Sequence, residues 1–287
     1  MTATTLFDLL AQDRPVVGPG VWDALSARLA ERAGLDMVFL SGFCMSATQL
    51  GEPDFGLWTQ SEVLGTAERV CAAVDLPVIV DIDTGYGNAF NVERTVRSLT
   101  RSGAAGCFLE DQVWPKRCGH MEGKEVIALD QYLPKLRAAL SARGDRPFHV
   151  TARTDARAVH GLDAAIERGR AFAEAGADAV FIEAPRSVEE LERIARELEG
   201  VTLVANMVEQ GKTPLLEPGE LYAMGFSLIA FPLSGVLAAA HAVERVFRAV
   251  AVHGSSEPCA RDMLRFEEFN ELVGLTARYE AEKAWRD

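Results

Sequence analysis

Glu174-Ala-Gly-Ala-Asp-Ala-Val-Phe-Ile182 decides how this chain folds. Its first residues close an amphipathic stretch. Its glycine suits the position just past a helix C-terminus, and a short apolar run follows. The phrase recurs as Glu31-Arg-Ala-Gly-Leu-Asp-Met-Val-Phe-Leu40, Arg101-Ser-Gly-Ala-Ala-Gly-Cys-Phe-Leu109 and Ala223-Met-Gly-Phe-Ser-Leu-Ile-Ala-Phe231. Each copy reads as helix end, glycine, buried strand.

Working outward, eight such runs are found: Val16 to Pro19, Met37 to Leu40, Val78 to Ile82, Gly106 to Leu109, His149 to Ala152, Ala179 to Ile182, Thr202 to Ala205 and Leu228 to Phe231. They are short and rich in Val, Ile and Phe, as strands covered on both faces are. Helical patterns lie between them, including Asp163 to Ala175 with Asp163 as N-cap, and Ser187 to Glu199. Repeated strand–helix units imply parallel strands with right-handed crossovers. Eight of them predict an α/β chain folded as a (β/α)8 barrel. A doubly wound open sheet is disfavoured, because no G-x-G-x-x-G opens a helix after a strand.

The chain of 287 residues fits one barrel domain over 1–287, with 257–287 as a C-terminal helical extension. In that extension Phe266, Phe269, Leu272 and Val273 share a face that needs another surface, either the outside of the barrel itself or a neighbouring subunit, and the second, a homo-oligomer, is favoured. A net charge of -13 without a basic patch argues against nucleic acid as a partner. The apolar region Ser227 to Val243 is broken by Pro232 and Gly235, which argues for a buried strand and helix and against a membrane span. Met1 to Pro15 lacks the pattern of a signal peptide. Five cysteines without a C-x-x-C pair suggest reduced thiols in a cytoplasmic protein. Cys44, Cys71 and Cys107 are expected in the core or on helices, and Cys259 at the surface.

A barrel keeps its functional residues at the C-terminal ends of its strands. Ser41-Gly42, Asp81 with Asp83, Glu110-Asp111, Arg153 with Asp155, Glu183, Asn206 and Ser234 fall there. That is more charge than a solvated rim requires. Asp81 and Asp83 are two apart on a strand and should share a face. With Glu110 they offer an all-oxygen cluster suited to Mg²⁺ or Mn²⁺. The alternative is that these carboxylates bond loop amides or pair with Arg153. Cys118 stands among Lys116, Arg117 and His120, and nearby cations should lower its pKa. A zinc site is disfavoured for want of a second Cys or His pair. Arg153 suits a bidentate grip on a carboxylate, or else pairs with Asp155 or Glu183.

Asp81-x-Asp83, Glu110-Asp111-Gln112 and Lys116-Arg117-Cys118-Gly119-His120 together resemble the isocitrate lyase/phosphoenolpyruvate mutase superfamily. So do Leu50-Gly-Glu-Pro-Asp-Phe-Gly56, Ala152-Arg-Thr-Asp-Ala156, Ala205-Asn-Met207 and Pro232-Leu-Ser234. The loop at 116–120 is similar to that of the C–C lyase branch, which includes 2-methylisocitrate and 2,3-dimethylmalate lyases and petal-death-like proteins. The resemblance implies a barrel whose last helix swaps onto a partner, usually in a tetramer. It implies Mg²⁺ on Asp83, with Asp81 and Glu110 acting through waters. A small carboxylate substrate would be held by Ser41, Gly42, Phe43 and Arg153, with Asp54, Glu183, Asn206 and Ser234 completing the shell. Cys118 would act as general acid, with His120, Arg153 and Lys116 stabilising charge. Tyr86, Glu110 and Glu183 are the candidate bases. The implied reaction is C–C cleavage of a 2-hydroxy di- or tricarboxylate, of 2-alkylmalate or 2-methylisocitrate type. Phe43 argues for the smaller acids. Carboxyphosphonoenolpyruvate mutase and oxaloacetate hydrolase share the loop and are the alternatives. A catalytically silent metabolite-binding barrel is disfavoured, since every expected group is present.

Overall fold

The computed structural model describes residues 4–286; of the stretch Met1 to Pro15, residues 1–3 lie outside the described residues. The eight runs are strands β1 Val16–Val21, β2 Val38–Leu40, β3 Val78–Asp81, β4 Gly106–Glu110, β5 His149–Thr154, β6 Ala179–Ile182, β7 Leu203–Asn206 and β8 Phe226–Phe231. They close into a barrel in chain order, with every neighbouring pair parallel.

The unbroken apolar runs follow from this closure. Successive side chains alternate between the barrel interior and the helix layer, so neither set can be polar. Phe39, Ile79, Phe108, Phe181, Val204 and Leu228 fill the interior together with Leu6 and Leu9 of the helix Leu6–Leu10. Their neighbours Val38, Leu40, Val78, Val80, Leu109, Val150, Val180 and Ile182 pack outward with the helices. Three rings make a floor within the barrel: Phe39 and Phe108 stand 5.8 Å apart, and Phe108 and Phe181 stand 5.9 Å apart.

The expected helix from Ser187 runs over Val188–Glu197, and Ser187 caps it, accepting from the Glu190 N–H at 3.3 Å. Asp163 does not cap its helix. That helix begins at Leu162 behind Gly161, with no side-chain cap, and Asp163 pairs with Arg193 at 2.5 Å instead.

The chain divides into two compact units, one ending at Ser234 and one from Gly235 onward. The second unit holds most of the helix Ser234–His253, the 3-10 turn Glu257–Asp262 and the helices Phe266–Leu272 and Leu275–Arg286. Cys259, expected at the surface, is buried; its thiol faces the Arg245 carbonyl at 3.8 Å. Phe247, Phe266 and Trp285 are exposed. Among the described residues, no helix is long and apolar enough to cross a membrane.

Two glycines separate a packing constraint from a propensity effect. A β-carbon at Gly20 on β1 would overlap the Pro232 carbonyl. Gly20→Ala is therefore expected to destabilise the fold by about 1–3 kcal/mol. Gly65 sits inside the helix Gln60–Cys71, where a β-carbon meets nothing nearer than the Arg69 guanidinium at 3.6 Å. Gly65→Ala should stabilise by roughly 0.5–1 kcal/mol. Urea midpoints of the two variants against the parent chain check both signs.

Candidate active site

The acidic end of β3 is built differently from the strand pattern. β3 stops at Asp81, and Asp83 turns into the left-handed region with φ 48°. The two carboxylates converge through that turn and not through strand alternation. The Asp83 N–H donates to Asp81 Oδ1 at 3.0 Å. A β-carbon at Gly42 would lie 3.3 Å from Asp81 Oδ2, 3.5 Å from Asp83 Oδ1 and 3.5 Å from Lys116 Nζ. Glycine thus leaves open the space where two carboxylates and an ammonium meet.

Lys116 is buried, with Nζ 2.7 Å from each Asp54 oxygen and 2.8 Å from Asp83 Oδ1. Burial works against its charge, but Asp83 and then Asp54 outweigh it and hold the ammonium well above its ordinary pKa. Burial pushes Asp83 up to about 7 against the pull of Lys116. Burial likewise lifts Glu110 well above the carboxylate range, opposed by Arg153 and then Lys116.

The three carboxylates do not close a metal shell by themselves. Among the described residues, no three His, Cys, Asp or Glu side chains gather closely enough to hold an ion. Lys116 takes one side of Asp83, and Arg153 Nε stands 3.4 Å from Glu110 Oε2. Yet Glu110 Oε1 and the Tyr86 hydroxyl are buried without a hydrogen-bond partner, and Asp83 Oδ1 has only the Lys116 ammonium at 2.8 Å. Buried unpartnered oxygens are costly. Such oxygens beside Asp81 fit a hard divalent ion that binds one or two carboxylates and keeps several waters.

The segment after β4 folds down over the strand ends. Gln112 grips it at both main-chain groups of Arg117, donating to its carbonyl at 2.8 Å and accepting from its N–H at 3.0 Å. The Cys118 N–H donates to the Asp54 carbonyl at 3.2 Å. Lys124, buried, donates to the Gly119 carbonyl and lies 2.8 Å from Asp155 Oδ1. Gly119 itself has no room for a side chain: a β-carbon there would sit 2.5 Å from Glu183 and 2.6 Å from Arg153 Nη2.

Arg153 realises the ion-pair alternative. Its Nε is 3.0 Å from Asp155 Oδ2, its Nη2 is 3.2 Å from Glu183 Oε2, and its guanidinium lies 5.2 Å above the Phe181 ring. It still lines the cavity at the strand ends. Glu183 also takes Asn206 Nδ2 at 3.3 Å on both oxygens and faces His120 Nε2 at 3.2 Å. Burial would raise its pKa, but Arg153, His120 and Lys124 hold it well below the carboxylate range. The cavity encloses about 50 Å³. Ser41, Phe43, Asp54, Asp81, Cys118, His120, Arg153, Glu183 and Asn206 line it, with Phe39, Phe108, Phe181 and Leu233. Ser234 does not line it; its hydroxyl turns to the Glu209 carboxylate.

The expected lowering of the Cys118 pKa is reversed. Burial pushes the thiol up to about 11, Asp54 and Glu183 add to the rise, and Lys116 offsets little of it because its charge is spent on its own carboxylates. Lys124 carries a part of the site that motif reading missed. A lysine in a loop ordinarily reads as a solvated charge, and nothing in the sequence marks Lys124 as buried.

A barrel that brings this many opposed charges and a neutral thiol to the carboxyl ends of its strands is built as an enzyme for small anions. The chain matches the family described as phosphoenolpyruvate phosphomutase over residues 6–251. It is 47% identical over 283 residues to carboxyvinyl-carboxyphosphonate phosphorylmutase, chloroplastic, of Arabidopsis thaliana (97% of this chain, 83% of that one). It is 43% identical over 281 residues to 2,3-dimethylmalate lyase of Eubacterium barkeri (98% and 97%). Among solved structures it is similar to oxaloacetate acetylhydrolase in complex with 3,3-difluorooxalacetate (TM-score 0.93, 35% identity, covering 98% and 96%). It is also similar to phosphonopyruvate hydrolase in complex with oxalate and Mg²⁺ (TM-score 0.87, 30% identity, 97% of each chain). The chain belongs to the isocitrate lyase/phosphoenolpyruvate mutase superfamily and is an enzyme of it.

The Cys118 thiol should be alkylated by iodoacetamide slowly at neutral pH, with a rate still rising toward pH 11. Peptide-resolved mass spectrometry across pH measures this. A plateau near the ordinary thiol value of about 8.5 would contradict the buried, protonated state.

Proposed function

We propose that this enzyme cleaves a C–C bond of a small 2-hydroxy dicarboxylate of 2-alkylmalate type, giving a 2-oxo acid and a second carboxylic acid. The supporting observation is what one small cavity brings together. Asp54 and Asp81 line it, with Asp83 bonded to Asp81 and Glu110 near by at the strand ends, and a protonated thiol, His120 and Arg153 line it as well.

Asp83 would hold Mg²⁺ or Mn²⁺, with Asp81 and Glu110 contributing through waters. The ion would polarise the substrate oxygen and fix its carboxylate. Gly42 and Phe43 open a short helix behind its N-cap Ser41, and their main-chain N–H groups suit a carboxylate. A base removes the 2-hydroxyl proton, the carbonyl forms, and the C–C bonding electrons pass to the departing carbanion. Glu110, with a buried unpartnered oxygen, fits the base better than Glu183, which Arg153, Asn206 and His120 already engage, and better than Tyr86, whose phenol burial and Asp83 keep protonated. Cys118 gives its S–H proton to the carbanion, and His120 and Arg153 offset its charge meanwhile. Lys116 stays charged and holds Asp54 and Asp83 in place. Phe39, Phe43, Phe108 and Leu233 favour an alkyl group over a third carboxylate.

The second reading is P–C bond formation, favoured by the identity to the phosphorylmutase; oxaloacetate hydrolysis is the third, favoured by the likeness to the acetylhydrolase. We also propose a homotetramer that exchanges C-terminal helices, the extension over 257–287 being the exchanged part. The exposed Phe247, Phe266 and Trp285 support it. Five free thiols support a reducing compartment such as the cytoplasm.

2-Oxo acid release from 2,3-dimethylmalate and 2-methylisocitrate, and oxalate release from oxaloacetate, each with EDTA and with restored Mg²⁺, test the lyase against the hydrolase. The expected outcome is metal-dependent turnover of the dimethylmalate, lowered roughly 10²–10⁴-fold by Cys118→Ser. Absence of turnover on all three, with phosphonate formed from a carboxyphosphono substrate by phosphorus NMR, would transfer the assignment to the mutase.

A further inference from the structure

His120 is held by a segment that its motif does not contain. Its Nδ1 accepts from the main-chain N–H of Lys212 at 3.0 Å, in the loop between β7 and the helix Pro218–Met224. An imidazole nitrogen that accepts a hydrogen bond carries no proton, so the proton of the neutral ring sits on Nε2. Nε2 is buried, 3.2 Å from Glu183 Oε1. Gly211 presses on the same ring. A β-carbon there would lie 2.7 Å from Nδ1 and 2.9 Å from Cε1. Val208, at the start of this loop, lines the cavity and accepts from the Gly211 N–H at 3.0 Å.

A bland account would treat this as contact between two surface loops. The Lys212–Glu122 ion pair deserves that account: at 2.5 Å it is close, but Glu122 is 86% exposed, and such pairs contribute little. The amide bond differs in kind, because it chooses which imidazole nitrogen bears the proton. Glu183 alone is the rival, since a carboxylate near Nε2 also favours a proton there.

We propose that the loop Val208–Thr213 is the positioning device of His120. The Lys212 amide and the bare Gly211 backbone fix the ring's orientation and tautomer, so that Nε2–H is presented to the cavity as a donor. A second loop thereby becomes part of the His120 machinery through Gly211 and Lys212, neither of which lines the cavity. The kinetic arm of the test rests on the lyase reading; the spectroscopic arm does not.

The test is ¹⁵N NMR of the imidazole-labelled full chain with Mg²⁺, with His120 resonances assigned by their loss in His120→Gln. The expected spectrum has an unprotonated, hydrogen-bonded Nδ1 and a protonated Nε2. Lys212→Ala keeps the amide and should keep that pattern. Lys212→Pro removes the N–H, and Gly211→Ala displaces the ring. Both should shift the Nδ1 resonance and lower kcat about tenfold, with KM changed far less. Protonated Nδ1 in the parent chain would overturn the proposal. So would a Lys212→Pro spectrum and kcat equal to the parent's, which would give the role to Glu183. If Lys212→Pro fails to fold, the parent spectrum and Gly211→Ala still decide. The expected spectrum without turnover of any 2-hydroxy acid would sink the lyase and leave the positioning intact; turnover with the wrong tautomer would do the reverse.

Discussion

The ammonium of Lys116 is what allows carboxylates to crowd the mouth of this barrel. Asp54, Asp81 and Asp83 would repel one another in a site closed to water. One buried cation between Asp54 and Asp83 lets all three stay close. Arg153 does the same among Glu110, Asp155 and Glu183. Removing either partner of such a buried pair typically costs about 3–5 kcal/mol, because a charge is left alone in a poor solvent. The two cations therefore each hold a cluster of carboxylates at the mouth, and Arg153 also lines the cavity.

Backbone strain gathers at the same place. Asp83, Tyr86 and Ala184 hold positive φ without being glycines, and all follow the ends of β3 or β6. Conformations of that kind cost of order 1–3 kcal/mol each and persist where surrounding structure enforces them. Here the eight-stranded frame, with large apolar side chains on both faces of each strand, supplies the excess stability. The strain turns Asp83 back onto Asp81, a juxtaposition that an extended strand would not produce.

The architecture was legible because it repeats. Helix end, glycine and apolar run appear again and again, and closure needs nothing beyond that rhythm. The site was legible where chemistry and position coincide, as at Asp81, Glu110, Arg153, Glu183 and the loop carrying Cys118. It was illegible where a residue's role depends on what the fold places around it. The thiol pKa was misjudged because charges adjacent in sequence turned out to be engaged elsewhere, whereas burial acted on the sulfur directly. Lys124 looks like an ordinary loop residue until the loop folds over it. Ser234 was assigned by its place at a strand end, but a nearer acceptor, Glu209, takes its hydroxyl.

The three phenyl rings beneath the cavity bear on proton traffic. Phe39, Phe108 and Phe181 pave the cavity floor with apolar surface, where a water finds few partners. The polar groups that line the cavity stand at the strand ends, so a thiol that has given up its proton is recharged from the side by which substrate enters. Ring packing inside the barrel would in this way tie the supply of protons to the traffic of substrate, though no ring takes part in the chemistry.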